Sequence, residues 1–330
     1  MADLSSSLLA VVGLILAAEF VNGWHDAPNA IATVVSTRVM RPGRAVLMAT
    51  VLNGLGAMSG TAVASTIGRA IVKADAIDLM TLGSAMVGTI LWGITSWYLG
   101  LPTSSSHALV AGIAGATLAT AGPSALLWEG WSKVFVGLFF STLIGFGAGY
   151  AILSGIHRAF RNATPGRVRS LFGRLQILSA AFMAFSHGSN DGQKFIGALS
   201  LALVLGGVLP QFTVPIPVIL ICSVVMGLGT SLGGYRIIRT LGHRIVKLEP
   251  HQGFSAETGA GLAIEIASRL GIPLSTTHTI STAIMGVGAT KRFSAVRWGV
   301  AGEIVAAWIF TFPICAATGF VAALVARAWA

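Results

Sequence analysis

Charge in this chain is gathered into four short basic clusters, and the stretches between them are long and apolar. Of its 21 lysines and arginines, 15 lie in these clusters: Arg38, Arg41 and Arg44; Arg158, Arg161, Arg167, Arg169 and Arg174; Arg236, Arg239, Arg244 and Lys247; Lys291, Arg292 and Arg297. With 54% hydrophobic and 10% charged residues, and a mean hydropathy of +0.81, there is too little charge to cover a soluble domain. A span needs about 20 mainly apolar residues, so the expected class is an all-α polytopic membrane protein. The net charge of +10 does not point to nucleic acid, because no basic patch is interleaved with aromatics. By the positive-inside rule the clusters mark cytoplasmic loops instead.

Placing all four clusters inside fixes a topology. Residues 7–37 run in, 45–66 out, 79–120 dip from outside as a hairpin and 132–156 run in. Residues 175–209 then run out, 214–234 in, 257–290 dip from inside and 298–325 run out. Both termini are expected outside. Each half crosses an odd number of times, so a repeat of the first half in the second must be inverted. Reading each hairpin arm as a full span keeps this parity. The expected organisation is a first inverted repeat over 1–156, a basic cytoplasmic linker over 157–174 and a second inverted repeat over 175–330. "MADLSSSLLAVVGL" has no basic n-region and no clear cleavage site, so the first helix is expected to stay. Cys222 and Cys315 lie in apolar segments without metal or redox spacing, and read as packing residues.

The repeat is visible in the residues. "NGWHDAPNAIAT" (Asn22 to Thr33) aligns with "HGSNDGQKFIGA" (His187 to Ala198), pairing Gly23 with Gly188 and Asp26 with Asp191. "LPTSSSHALVAGIAG" aligns with "IPLSTTHTISTAIMG", pairing Pro102 with Pro273, Ser104 with Ser275, His107 with His278 and Gly115 with Gly286. Inverted repeats with interrupted helices are a recurring plan of secondary transporters, whose substrate sits near the midplane. Proline suits a helix start, so Thr103 to Ser106 and Ser275 to Thr277 read as hydroxyl-rich helix beginnings. Two such N-termini, each with about half a positive charge and free amides, suit a tetrahedral oxyanion. Serine and threonine in membranes also bond the preceding turn or ease close packing. The duplication favours the anion site.

Asp26 and Asp191 stand at matched positions, with Gly23 and Pro28 around one and Gly188 and Gly192 around the other. A carboxylate in hydrocarbon costs about 2.5–3.5 kcal/mol even on the lenient scale. With unwound carbonyls nearby, each could hold a cation or a proton. Glu19, Glu257, Glu265 and Glu303 are weaker candidates because none has a matched partner. His25, His107, His187 and His278 lie in or beside the motifs as candidate proton relays. No metal-binding set is evident. Asn29 and Lys194 share one repeat position, an amide in one half and an ammonium in the other.

"NGWHDAPNA", "GSNDGQK" and the two proline-hydroxyl-histidine tips resemble the inorganic phosphate transporter (Pit) family, particularly its bacterial, proton-coupled branch. The resemblance covers nearly the whole chain and implies inverted repeats, each with an interrupted helix and a re-entrant helical hairpin. It also implies phosphate held between the hairpin tips and symport with a cation. Carried over, the phosphate set is Ser104, Ser105, Ser106, Ser275, Thr276 and Thr277, and the cation set is Asp26, Asn29, Asn190 and Asp191. Sodium-coupled members read like G-A-N-D-V-A-N-A in both halves. Here His25 precedes the first aspartate and Lys194 replaces the second asparagine, so the Lys194 ammonium is expected to replace one sodium ion and coupling to rely on protons. Some relatives with G-S-N-D-G-Q-K carry phosphate as a neutral metal complex.

The resembled family also includes sulfate permeases, so a sulfate permease is the nearest rival; sulfate offers only acceptors, whereas monohydrogen phosphate has a proton that needs an acceptor, which Asp26 or Asp191 could supply. An intramembrane serine hydrolase is disfavoured, as the mirrored tips offer no nucleophile elbow, and matched hairpins disfavour a channel. The expectation is a carrier of the cell membrane that imports inorganic phosphate by symport with H+, favoured over Na+. Its partners would be phosphate and lipid, with no cofactor and no nucleic acid; a homo-oligomer stays open.

Overall fold

Small residues recur every fourth position on the longest helices, and this spacing decides how they pack. A computed structural model describes residues 5–329, among which the chain forms twelve α-helices and no named strand. They are α1 (Ser6–Ser36), α2 (Pro42–Ala57), α3 (Ala62–Ala70), α4 (Leu79–Leu99), α5 (Ser105–Thr120) and α6 (Trp128–Ala159) in the first half. The second half holds α7 (Pro165–Leu205), α8 (Ile216–Ser231), α9 (Tyr235–Arg239), α10 (Pro250–Arg269), α11 (Thr276–Lys291) and α12 (Trp298–Trp329). Four helices, α1, α4, α6 and α12, are long and apolar enough to cross a membrane by themselves. On α6 the buried positions include Gly137, Ser141, Gly145 and Gly149, while Phe135, Phe139 and Leu143 are exposed. On α12 the buried stripe runs Ala307, Thr311, Cys315, Gly319 and Ala323. Small side chains inside and large apolar ones outside suit helices whose solvent is lipid, where close backbone approach supplies the packing.

Elements recur in the same order in both halves, with 16 residues in α2 and α8, 16 in α5 and α11, and 32 in α6 and α12. The packing is exchanged between halves. Helix α1 packs on α8 and α2 on α7, while α5 packs on α12 and α11 on α6. Matched glycines permit it: a Cβ on Gly23 would lie 2.3 Å from the Met226 carbonyl oxygen, and one on Gly188 would lie 2.0 Å from that of Asn53.

Three expectations change. The helices carrying Asp26 and Asp191 are unbroken, and among the described residues the bends fall elsewhere: 64° between α2 and α3, and 60° between α8 and the segment 235–244. Gly23 and Gly188 serve helix contact rather than unwinding, and Pro28 is accommodated inside α1, where Gly234 packs against its ring and the Trp24 carbonyl. The connection between halves is only residues 160–164; the rest of the basic 157–174 stretch is helical, because Thr164 caps and Pro165 opens α7. The prolines of the tips lie two residues before the caps Ser104 and Ser275, in extended approach segments rather than in the first helical turn. The hairpins themselves close as expected, α4 to α5 and α10 to α11, each turning through a left-handed glycine, Gly100 (φ 68°) and Gly271 (φ 67°).

Candidate functional site

The two hairpin tips and the middles of α1 and α7 converge on one buried polar cluster. Ser104 and Ser275 cap α5 and α11, their hydroxyls accepting from the amides of His107 (3.3 Å) and His278 (3.2 Å). Helix geometry leaves the amides of Ser105, Ser106, Thr276 and Thr277 without intrahelical partners. The tips touch directly, the Ser106 hydroxyl donating to the Leu274 carbonyl at 3.1 Å.

From α1, Asp26 accepts from the Thr277 hydroxyl (3.4 Å), and Asn29 donates to the hydroxyls of Thr277 (2.9 Å) and Thr276 (3.4 Å). From α7, Asp191 accepts from the Thr276 hydroxyl at 3.0 Å. The Lys194 ammonium pairs with Asp191 and donates to the Ser106 hydroxyl and to the Leu274 carbonyl (3.0 Å). It therefore bridges α7 and both tips. Asp26, Asn29, Asp191, Lys194, Ser106, Thr276 and Thr277 are all buried.

The remaining candidates lie around this cluster. His25 Nδ1 is 2.7 Å from Asp26 Oδ1, and its Nε2 meets the hydroxyls of Ser96 (3.0 Å) and Thr103 (3.2 Å). His187 Nε2 is 3.4 Å from Asp191 Oδ2, and its Nδ1 is 3.1 Å from Asn53 Oδ1. Asn190 turns toward the second hairpin, donating to Ser268 Oγ (3.0 Å) and the Ile272 carbonyl (3.2 Å). Ser105 is not brought into the cluster; it borders a separate small cavity with Asn22 and Thr103. His107 and His278 face each other with ring centroids 4.7 Å apart, and stack on Phe312 and Trp308. Neither reaches Asp26 or Asp191 by a hydrogen bond among the described residues.

Several residues were not singled out from the sequence. Ser96 holds His25 together with Thr103, a tip hydroxyl the sequence did mark, and Asn53 holds His187. Ser96 on α4 and Asn53 on α2 each lie in an apolar helix outside the duplicated motifs, so the duplication did not mark them. The sequence also suggests no metal set. In the fold, Asp26, His187 and Asp191 each offer a ligand atom within 4.8 Å of the others, from two helices far apart in the chain, and the three could hold a cation. A second buried network surrounds Glu257 of α10, which accepts from the Thr33 and Ser179 hydroxyls and from Gln176 Nε2 (3.1 Å).

A family profile described as "Phosphate transporter family" matches residues 22–319. The chain is 44% identical to a probable low-affinity inorganic phosphate transporter of Rhizobium meliloti (strain 1021), over 95% of this chain and 96% of that one. It is 38% identical to one of Bacillus subtilis (strain 168), over 95% of each. Among solved structures, one titled "The sodium-dependent phosphate transporter" superposes with a TM-score of 0.90 at 23% identity, covering 98% of this chain and all of the other.

Proposed function

This chain belongs to the phosphate transporter family, and from that membership we propose that it imports inorganic phosphate across the cell membrane by cation symport, with H+ favoured over Na+. The family is one of transporters rather than enzymes, and several helices are long and apolar enough to span a bilayer. The relatives named above carry phosphate in their names, and the sulfate alternative draws no support from them.

Phosphate binds between the tips, where the hydroxyls of Ser106, Thr276 and Thr277 and the amides at two helix N-termini converge. Ser104 and Ser275 shape the tips by capping. Asp26 and Asn29 on one helix and Asn190 and Asp191 on the other hold the coupling charge. The observation that carries proton coupling is Lys194, whose ammonium neutralises Asp191 and reaches Ser106 at the position where the other half has Asn29. A tethered cation there leaves no need for a second sodium ion. Asp26 Oδ2, buried and without a partner among the described residues, is then a proton acceptor. Two inverted repeats, 1–156 and 175–330, rock about this cluster with re-entrant hairpins as gates, basic loops inside and both termini outside. The exchanged packing of the two halves supports this reading. The grouping of Asp26, His187 and Asp191 favours a second form of cargo, phosphate travelling with a divalent metal ion.

Radiolabelled phosphate uptake into proteoliposomes, driven separately by proton and sodium gradients with sulfate as competitor, tests the function. Proton-driven, sulfate-insensitive uptake is expected. Sodium-driven uptake would overturn the coupling, and sulfate transport without phosphate would overturn the substrate. A Lys194→Asn protein is expected to gain sodium dependence; if it stays proton-driven and sodium-blind, the tethered-cation idea fails. Labelled divalent metal entering in step with phosphate would identify the complex as cargo.

A further inference from the structure

The four basic clusters are separated by most of the chain's length, yet each sends residues to one cavity. Arg38 follows α1, Arg169 lies in the second turn of α7, His243 and Lys247 lie between α9 and α10, and Arg297 precedes α12. They line a concave space of about 670 Å³ that lies apart from the tip cluster. Its backbone frame is fixed. The Arg297 amide donates to the Ile245 carbonyl at 3.1 Å, and Gly242 packs against the Ala32 carbonyl and Ser36. Arg38 takes a left-handed backbone, φ 61°, which arginine rarely adopts.

Charge in this space is unbalanced. Among the described residues Arg38, Arg169, Lys247 and Arg297 form neither an ion pair nor a hydrogen bond through their charged groups, although exposed arginines elsewhere do, such as Arg244 with Glu303 at 3.1 Å. The one acid in the lining, Glu249, accepts from the Gln252 amide at the start of α10 in a capping box, in which its own amide donates to Gln252 Oε1 (2.9 Å), and its Oε2 lies 3.9 Å from His251 Nδ1. Four unpaired cations around a cavity of small-molecule size form a site for a multiply charged anion, and guanidinium forks match phosphate oxygens. The lining comes from both halves of the chain, so an occupant would tie together elements that must shift during transport. Thr37, also in the lining, donates to Gln176, which in turn donates to Glu257, so the pocket floor is joined to the buried network beneath it.

We propose that this pocket binds an anion bearing more than one phosphate charge from the cytoplasmic side and, when occupied, slows uptake. The regulatory part rests on the phosphate-carrier reading and on the inward placement of the basic clusters; the binding part does not. The phosphate groups could come from a soluble polyphosphate or from lipid headgroups gathered at the same face.

The test titrates inorganic pyrophosphate into the purified full chain, reconstituted in nanodiscs of neutral phosphatidylcholine and, separately, with added phosphatidylglycerol. Wild type is expected to bind in the neutral discs. The Arg38→Gln/Arg297→Gln protein is expected to bind at least about tenfold more weakly, since each charged hydrogen bond contributes more than the energy of a tenfold step. An Arg41→Gln/Arg44→Gln control removes the same charge from exposed positions outside the pocket and should bind within about twofold of wild type. Phosphatidylglycerol that competes with pyrophosphate in wild type but not in the pocket variant would assign the natural phosphate groups to lipid. Pyrophosphate enclosed in proteoliposomes should slow phosphate uptake by wild type and not by the pocket variant. Equal binding by wild type and the pocket variant, or no binding by wild type in either disc, overturns the site; equal inhibition of both overturns its regulatory role. A wild type that binds pyrophosphate but moves no phosphate overturns the carrier reading and leaves the pocket standing.

Discussion

The Thr66 hydroxyl of α3 donates to the carbonyl of Gly271 at 2.7 Å, fastening a short helix of the first half to the hairpin tip of the second. The relationship is repeated in reverse by Thr240, which donates to the Gly100 carbonyl at 2.8 Å. Each tip is thus held by the piece that follows the bend in the other half. The two latches differ in strength, because Arg236 also donates to the Tyr98 carbonyl (2.6 Å) and lies over the Trp97 and Tyr98 rings at the first tip.

Thr66→Val should therefore loosen the second tip more than Thr240→Val loosens the first. One lost hydrogen bond weakens the attachment by about 1 kcal/mol; Arg236 still fastens α9 to the first tip, whereas Thr66 makes the only side-chain hydrogen bond from α3 to the second tip among the described residues, the other bonds there, at Ile272 and Leu274, coming from α7 and α5. Hydrogen exchange of peptides covering 270–278 should rise about fivefold in Thr66→Val, with the middle of α7 unchanged. Equal responses of the two tips would refute the asymmetry.

Gly188→Ala should be poorly tolerated. The new Cβ would lie 2.0 Å from the Asn53 carbonyl oxygen, so α2 and α7 must separate, at a cost of at least about 1–3 kcal/mol. Gly13→Ala is the comparison: it is exposed on α1 with nothing within 4 Å, and should leave the melting midpoint unchanged or slightly raised. Thermal unfolding in detergent distinguishes the two.

Lys194 and Asp191 should behave as one unit. Lys194→Met or Asp191→Leu alone leaves a buried charge without its counter-ion and should cost about 3–5 kcal/mol. The double variant should recover most of that stability while remaining without phosphate uptake, because Ser106 and Thr276 lose their charged partner. Additive losses in the double variant would show that the pair is not coupled.

Glu257→Ala should destabilise the meeting of α1, α7 and α10, since Thr33, Gln176 and Ser179 lose their common acceptor. Each unsatisfied buried donor costs about 1–3 kcal/mol. Glu257→Gln keeps one acceptor oxygen and should fall between wild type and alanine in the same melting experiment. A Glu257→Ala protein as stable as wild type would mean that water replaces the carboxylate.

The sequence by itself determined the all-helical membrane class, because so little charge between long apolar runs admits no other solvent. It also determined both hairpins and the helix bearing each aspartate, because duplication marks what both halves need. Placing the bends and joining the partners was left to the tertiary structure. Gly23 and Gly188 look like helix breakers until α8 and α2 are seen pressed against them, since a missing side chain reads the same whether it frees the backbone or admits a neighbour. Ser104, Ser105 and Ser106 are interchangeable as letters, but one caps, one faces a side cavity and one meets Lys194, because successive residues at a helix start point in different directions. The convergence of four basic clusters on one pocket, and of Asp26 with His187 and Asp191, depends on contacts between halves more than 100 residues apart, which no local pattern encodes.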